Sequence, residues 1–346
     1  MKPAINKHHL FDQLQLYLTG MAGNFLRTLF GESDKKNKTW QPARQVVLKN
    51  QALADSLQEV GYAMAGKLDS RALHKLQELY QSLHNFQSPQ GGMFYSVYSH
   101  DLIYRKKVHE GIAQILYPVY ESLFTNYKSV LNSYIVKVSG PESEFSLHQD
   151  STSLDEMKYS CLSVWIPLQD TGISNGCMCV VPHSHKMFYP YRDISFPQPF
   201  DAISDTVRKY LQPIEMKAGE ILLFDNRLVH NSVVNSSGQD RVVVMSGIFP
   251  AEAKIIRCYK DVSKKDNAIE IIEQTDDFLL TFENFFHDCT CRPETGQSAG
   301  FVEWDISQMT KEKFLSLCSK YRLKESDYTS VIHHNTQQAI IGEPIA

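Results

Sequence analysis

Long apolar runs are missing from this sequence. Nowhere in its 346 residues do about 18 consecutive apolar residues occur, the length that a membrane-spanning helix requires. A surplus of either charge is missing too: 35 Lys and Arg stand against 39 Asp and Glu, a formal net charge of −4. That balance gives no general attraction to nucleic acid or to an anionic membrane surface. The densest basic run, "DKKNK" at 34–38, reads as a solvated loop. Cysteine is sparse, seven residues without regular spacing, which argues against a disulfide framework and for a reducing compartment. The opening "MKPAINKHHLFDQ" lacks the uninterrupted apolar core of a secretory signal, so a cytoplasmic location is the expectation.

Apolar residues are instead patterned. Leu10, Leu14, Tyr17, Leu18, Met21, Phe25 and Leu29 recur at helical spacing, so residues 8–31 are expected to form an amphipathic helix packed on the body of the fold. The polar stretch "GESDKKNKTWQP" (31–42) reads as a linker. Helices are also expected over 70–86, capped by Asp69 or Ser70, and over 108–126.

From residue 131 the texture changes. "SYIVKV", "CLSVWIPL", "MCVVP", "EILLFD" and "RVVVMSGIF" are short runs rich in β-branched and aromatic residues, separated by turn compositions such as "DTGISNG" and "NSSGQD". Short strands without long intervening helices predict an antiparallel sandwich or jelly-roll. The fold class expected is mainly β with flanking helices. Three regions are expected: a helical extension over 1–50, the β domain with its leading helices over 51–260, and a mostly helical C-terminal extension over 261–346 packed on the core. In the last, Phe314, Leu317, Cys318 and Tyr321 make one stripe.

The chemistry concentrates in "FSLHQDSTS" (145–153). On a strand, residues i and i+2 share a face, so His148 and Asp150 would project together, away from Gln149. A third ligand is offered by His230, at the end of the strand-like "GEILLFDNRLVHNS". Two histidines and one carboxylate form the facial triad of non-haem Fe(II) oxygenases, which leaves positions open for co-substrate and dioxygen. Arg241 follows eleven residues after His230. With "VNSSGQD" read as a hairpin loop, the two would lie on neighbouring antiparallel strands, opposite or diagonal to one another. A guanidinium buried beside a metal requires an anion, which a dicarboxylate chelating that metal would provide.

These segments resemble the phytanoyl-CoA dioxygenase superfamily of Fe(II)- and 2-oxoglutarate-dependent oxygenases. The resemblance rests on "LHQD" (147–150), "LSVWIPLQDTGISNGCMCVVPHSHK" (162–186), "GEILLFDNRLVHNS" (219–232) and "DRVVVMSGIF" (240–249), with a weaker match at 59–80. It implies a double-stranded β-helix (jelly-roll, cupin-like) core, iron bound by His148, Asp150 and His230, and 2-oxoglutarate held through its distal carboxylate by Arg241. Trp165 would line the co-substrate pocket, with Tyr134 and Lys137 as further contacts. It also implies dioxygen as oxidant, succinate and carbon dioxide as co-products, and hydroxylation or a related oxidation of an unactivated C–H bond in a small-molecule or acyl-type metabolite. A carboxylate at Asp150 favours this over chlorination, since related halogenases carry a small residue there. Val243 departs from the pattern, because the family often carries serine two residues after the arginine.

Arg105 and Arg192 stand in the aromatic, Pro-rich loops 88–105 and 187–212 and are candidate partners for a substrate carboxylate or phosphate. His183 and His185 repeat the i, i+2 spacing but end a strand in a loop, and are expected not to bind iron. "HDCTC" (287–291) lacks a second Cys/His pair at zinc-finger spacing. Asp225 is expected to set a turn or a supporting hydrogen bond. The alternatives to an oxygenase are a cupin-like barrel that binds a metal or ligand without turnover, and a partner-binding protein assembled through residues 1–50.

Overall fold

Asn50 opens the first helix, its side-chain oxygen accepting from the amides of Ala52 and Leu53. Gly61 closes it at φ 93°, a left-handed conformation that suits glycine. The computed structural model describes residues 46–84, 92–187, 191–282, 291–303 and 308–326. The expected helix at 8–31, the linker at 31–42 and residues 287–290 of the "HDCTC" segment lie outside the described residues.

In chain order the described elements begin with α1 (Gln51–Val60), β1 (Tyr62–Lys67), α2 (Ser70–Leu83), β2 (Met93–Tyr95), α3 (Leu102–Leu123), β3 (Tyr127–Lys137) and β4 (Phe145–His148). They continue with β5 (Leu162–Pro167), β6 (Met178–Val180), α4 (Ser204–Arg208), β7 (Gln212–Ile214), β8 (Glu220–Asp225), β9 (His230–Ser232) and β10 (Arg241–Pro250). Last come β11 (Ile255–Tyr259), β12 (Ala268–Gln274), α5 (Phe278–Thr281), β13 (Gln297–Glu303) and α6 (Lys311–Lys320).

Two antiparallel sheets form the body: β1-β8-β5-β10-β3-β2 and β4-β9-β6-β7. The two-residue period of each strand divides its side chains between two cores. Ile135, Trp165, Leu222, Phe224 and Val243 from the six-stranded sheet meet Met178 and Val180 of the four-stranded one. The alternate residues Tyr134, Val136, Val164 and Ile166 face outward and pack with Leu76 of α2 and Val108, Ile112 and Leu116 of α3. Behind the four-stranded sheet, Cys177, Cys179, Val229 and Val233 pack with Phe200, Val207, and Phe314 and Cys318 of α6. The core is thus a double-stranded β-helix with helices against both outer faces. Among the described residues no helix is long and apolar enough to cross a membrane.

The C-terminal extension departs from the expectation of a mostly helical segment. β11, β12 and β13 form a three-stranded antiparallel sheet, and the expected boundary at 260/261 cuts the β11–β12 pair, whose register runs from Ile255↔Gln274 to Tyr259↔Glu270. The run "AIEIIEQ" alternates only imperfectly, and four of its residues are buried in succession, so its pattern does not separate strand from helix. The expected α6 does form, capped by Thr310 and burying Phe314 and Cys318.

Candidate metal centre

β4 and β9 pair in antiparallel register with His148 opposite His230, which brings the two ring centroids to 4.1 Å. Each Nδ1 lies beside the carbonyl oxygen two residues upstream: Ser146 at 2.8 Å for His148 and Leu228 at 2.9 Å for His230. A carbonyl only accepts, so both Nδ1 atoms carry the proton and both Nε2 lone pairs are free. Asp150 follows β4, its amide donating to Asn226 O at 3.0 Å. Its Oδ1 stands 3.7 Å from His148 Nε2 and 3.9 Å from His230 Nε2. The turn that delivers His230 is set by Asp225, which accepts from the Arg227 amide at 2.9 Å and from its guanidinium at 3.0 and 3.1 Å.

One ligand atom from each of His148, Asp150 and His230 falls within 4.8 Å of the others. Burial, then the neighbouring His148, push the His230 pKa down to about 4, with Asp150 pulling the other way. Burial alone would raise the Asp150 carboxyl, but the neighbouring His148, His230 and Arg192 outweigh it and hold the group below its ordinary value. At neutral pH His230 is thus a neutral imidazole and Asp150 an anionic carboxylate, as metal ligation requires. Asp150 Oδ2 is buried with no hydrogen-bond partner. An N,N,O donor set with such an orphaned oxygen fits a divalent transition metal.

Arg241 begins β10 and is buried. Its guanidinium carbon lies 5.4 Å from the Trp165 ring centroid, and its Nε has no hydrogen-bond partner. Burial pushes its pKa down to about 10, partly countered by Tyr95 and Cys177. On β9, Ser232 shares the face of His230 by strand period, and its hydroxyl is likewise buried without a partner. A buried cation whose Nε has no partner suits an anion.

The family model for phytanoyl-CoA dioxygenase (PhyH) matches residues 58–243, more than half of the chain. The chain belongs to the phytanoyl-CoA dioxygenase family. His148, Asp150, His230 and Arg241 all fall inside the matched segment. A phytanoyl-CoA dioxygenase of Arabidopsis thaliana is 34% identical over 114 residues, covering 31% of this chain and 39% of that protein. Phytanoyl-CoA dioxygenase 1 of rice, Oryza sativa subsp. japonica, is 34% identical over 127 residues, covering 36% and 45%. The chain therefore spans less than half the length of these two relatives. Among solved structures, AviO1 from Streptomyces viridochromogenes superposes at TM-score 0.40 with 21% identity, over 60% of this chain and 96% of its own. HygX from Streptomyces hygroscopicus, with nickel and 2-oxoglutarate bound, superposes at 0.42 with 15% identity, over 59% and 88%.

Within this phytanoyl-CoA dioxygenase-family chain, several expected positions differ from their expected surroundings. His230 and Arg241 are not on paired strands: β9 pairs with β4 and β6, whereas β10 pairs with β3 and β5. The segment between them crosses from one sheet to the other. Tyr134 and Lys137 have opposite parity on β3 and so face opposite sides. Tyr134 donates to Leu76 O at 2.7 Å in the outer helical core, away from the site. Lys137 faces inward, where its Nζ donates to the carbonyls of Ser143, Ser232 and Val233. Burial and the adjacent Arg241 push its pKa down to about 6.

Neither loop arginine is presented to a substrate. Arg105 is buried on α3, donating to Phe282 O at 2.8 Å and stacking 4.5 Å over the Phe282 ring. Arg192 pairs with Glu156 at 2.7 Å, both side chains enclosed. His183 and His185 are occupied elsewhere. His185 Nε2 lies 3.0 Å from Gln58 O, and His183 stacks on Tyr321 at 5.3 Å. A Cβ at position 61 would come within 2.6 Å of His185 Nδ1, so Gly61 lets the "HSH" turn close against α1.

Three site residues escape a reading of the sequence. Ser232 was within reach of the strand period from His230. Tyr95, on a strand of three residues, falls in the aromatic loop 88–105 without being marked out within it, and Phe145, whose ring meets His148 edge-on at 4.3 Å, carries no such signal.

Proposed function

We propose that this chain is an Fe(II)- and 2-oxoglutarate-dependent dioxygenase that hydroxylates, or otherwise oxidises, an unactivated C–H bond of a small-molecule or acyl-type metabolite. One observation carries the reading: the buried Arg241 guanidinium, its Nε without a partner, lies in the same inter-sheet core as the face that bears His230. Phe224 links the two, packing in the cluster of Trp165 and standing 5.2 Å from the His230 ring.

When bound, iron and 2-oxoglutarate would supply the oxidising power, through oxidative decarboxylation of the co-substrate by dioxygen. The chain's own contribution is arrangement. His148, Asp150 and His230 would hold the metal on one side and leave the remaining positions open. Arg241 would take the distal carboxylate. Trp165 would support the guanidinium with its ring face. Lys137, donating from β3 to the carbonyls of Ser143, Ser232 and Val233, ties the two sheets together beside Arg241.

The substrate would enter at the open end, past Phe145 and Tyr95, whose rings lie 5.9 Å apart, and Tyr98, 5.4 Å from Tyr95. Tyr98 is 44% exposed. An aromatic rim of this kind favours a substrate with apolar surface. Acyl thioesters fit that description, and the relatives' name supports them.

Anaerobic titration of the metal-free protein with Fe(II) and 2-oxoglutarate tests the reading. A weak visible charge-transfer band should appear for the wild type, weaken for Arg241→Ala and vanish for His148→Ala. Iron binding without a band at saturating 2-oxoglutarate would leave a metal-binding barrel that does not turn over this co-substrate.

A further inference from the structure

Asp150 lies beyond the last ladder position of β4, so strand pairing does not fix it. Instead both of its backbone polar groups are tied to distant segments: its amide donates to Asn226 O at 3.0 Å, and its carbonyl accepts from Arg192 Nε at 2.9 Å. Arg192 grips the loop after Asp150 at three further points. Its amide donates to Thr152 Oγ1 at 3.0 Å, its carbonyl accepts from the Thr152 amide at 2.9 Å, and its guanidinium pairs with Glu156 at 2.7 Å. The Arg192 and Glu156 side chains are 1% and 0% exposed.

The next residue extends the chain of charges outward. Asp193 accepts two bonds from Arg257 of β11, each 3.0 Å, in a pair that is also enclosed. β11 touches the ligand loop directly as well, the Ile256 amide donating to Ser153 O at 2.9 Å. Lys260 N donates to Ser195 Oγ at 3.2 Å, and Tyr191 and Phe196 pack on Ile256, Cys258, Ile269 and Ile271. Residues 191–196 are therefore held between the loop that carries Asp150 and the C-terminal sheet.

Buried ion pairs contribute little net stability compared with apolar packing, but their fixed geometry suits them to hold a neighbour in place. The Arg192 fork is the only group among the described residues that bonds the Asp150 carbonyl. We propose that Arg192 is the positioning residue for Asp150, and that the Asp193–Arg257 pair anchors it to the C-terminal sheet. The affinity of the metal centre is thereby set in part from outside the barrel. This rests on the reading of His148, Asp150 and His230 as a metal centre, and goes beyond it.

Titrating the metal-free full chain with Co(II), followed by calorimetry and by visible absorption, tests the inference. Arg192→Lys keeps the charge but loses the fork, and Glu156→Gln keeps the shape but loses the charge. Arg257→Met breaks the outer pair. Ile112→Ala serves as a control, since it removes a buried α3 side chain from the outer helical core and lowers stability without touching the network. Arg192→Lys and Glu156→Gln should raise the Co(II) Kd by about 10–100-fold, the range for groups that orient metal ligands. Arg257→Met should raise it several-fold, while Ile112→Ala leaves it within twofold at an equal or larger loss of Tm.

If Ile112→Ala shifts the Kd as far as the network variants do, the network is merely structural and the inference is overturned. It is overturned equally if the folded network variants bind as the wild type does. Should Arg192→Lys fail to fold, Glu156→Gln and Arg257→Met decide between the same outcomes. A wild type that does not bind Co(II) would remove the metal-centre reading and this one with it; a wild type that binds, with variants unmoved, would remove this one alone.

Discussion

His230 and Arg241 are eleven residues apart in the chain and belong to opposite sheets of the barrel, His230 pairing with His148 and Val180, Arg241 with Lys137. The loop between them is pinned by Asn235, whose amide nitrogen donates to Lys137 O at 3.0 Å and Gln239 O at 2.7 Å. On the proposed reading, this one crossing would set the candidate metal ligands and the Arg241 cation on facing sheets, where the two ends of a short dicarboxylate would be held.

That arrangement leaves Arg241 costly in the empty protein, because a buried cation without a counter-ion loses hydration and regains little. Arg241→Met should therefore raise the Tm of the metal- and co-substrate-free protein by roughly 2–4 °C while abolishing 2-oxoglutarate binding. Differential scanning calorimetry and 2-oxoglutarate titration check both halves. A lower Tm would mean that Arg241 is paired within the protein and is not waiting for an anion.

Metal should stabilise the fold through His148. At a free Co(II) concentration 100 times Kd, linkage adds about 2.7 kcal/mol, which for a chain of this size is roughly 4 °C in Tm. The shift should disappear on chelation with EDTA and be absent in His148→Ala. An equal shift in His148→Ala would place the metal elsewhere.

Tyr134 separates the outer core from the site. Its hydroxyl donates to Leu76 O, so Tyr134→Phe should cost about 1 kcal/mol of stability through the lost buried hydrogen bond. The Kd for 2-oxoglutarate should stay within twofold. A tenfold weaker co-substrate affinity without loss of stability would return Tyr134 to the pocket.

The candidate metal triad was legible because its signals are local or chemical. The i, i+2 spacing of His148 and Asp150 suggests a shared direction, and His230 follows a strand-like apolar run, although the turn after Asp225 makes it the first residue of β9 and not the last of β8. Arg241 was found for its chemistry, but its sheet was not, because sequence separation does not report which of two facing sheets a strand joins. Tyr134 and Lys137 could have been told apart by parity alone. The C-terminal strands were missed because "AIEIIEQ" buries residues in succession between two partners, which erases alternation. Arg192 was read as a substrate group since a loop arginine carries no mark of the Glu156 that meets it. Their partnership exists only once the 150–156 loop and residues 191–195 have folded together.

Asp155, at the turn beneath that clamp, gives a pH dependence whose sign is fixed. Chiefly through burial, its carboxyl is pushed up to about 6, against the opposing Met157 amide and the Lys158 charge. A carboxyl raised above its unfolded value binds its proton more tightly in the folded state. Its contribution is thus fully present below the unfolded value near 3.8 and is lost as pH rises through about 6. Asp155→Asn keeps an oxygen for the Met157 amide, which now donates to Asp155 Oδ1 at 3.0 Å, and removes the titration. The variant should melt about 1–2 °C above the wild type at pH 8, a figure reduced for the group's partial exposure to solvent. The difference should shrink steadily to nothing by pH 4. A gap that is constant across this range, or that widens toward acid, would show that Asp155 is not held protonated by its burial.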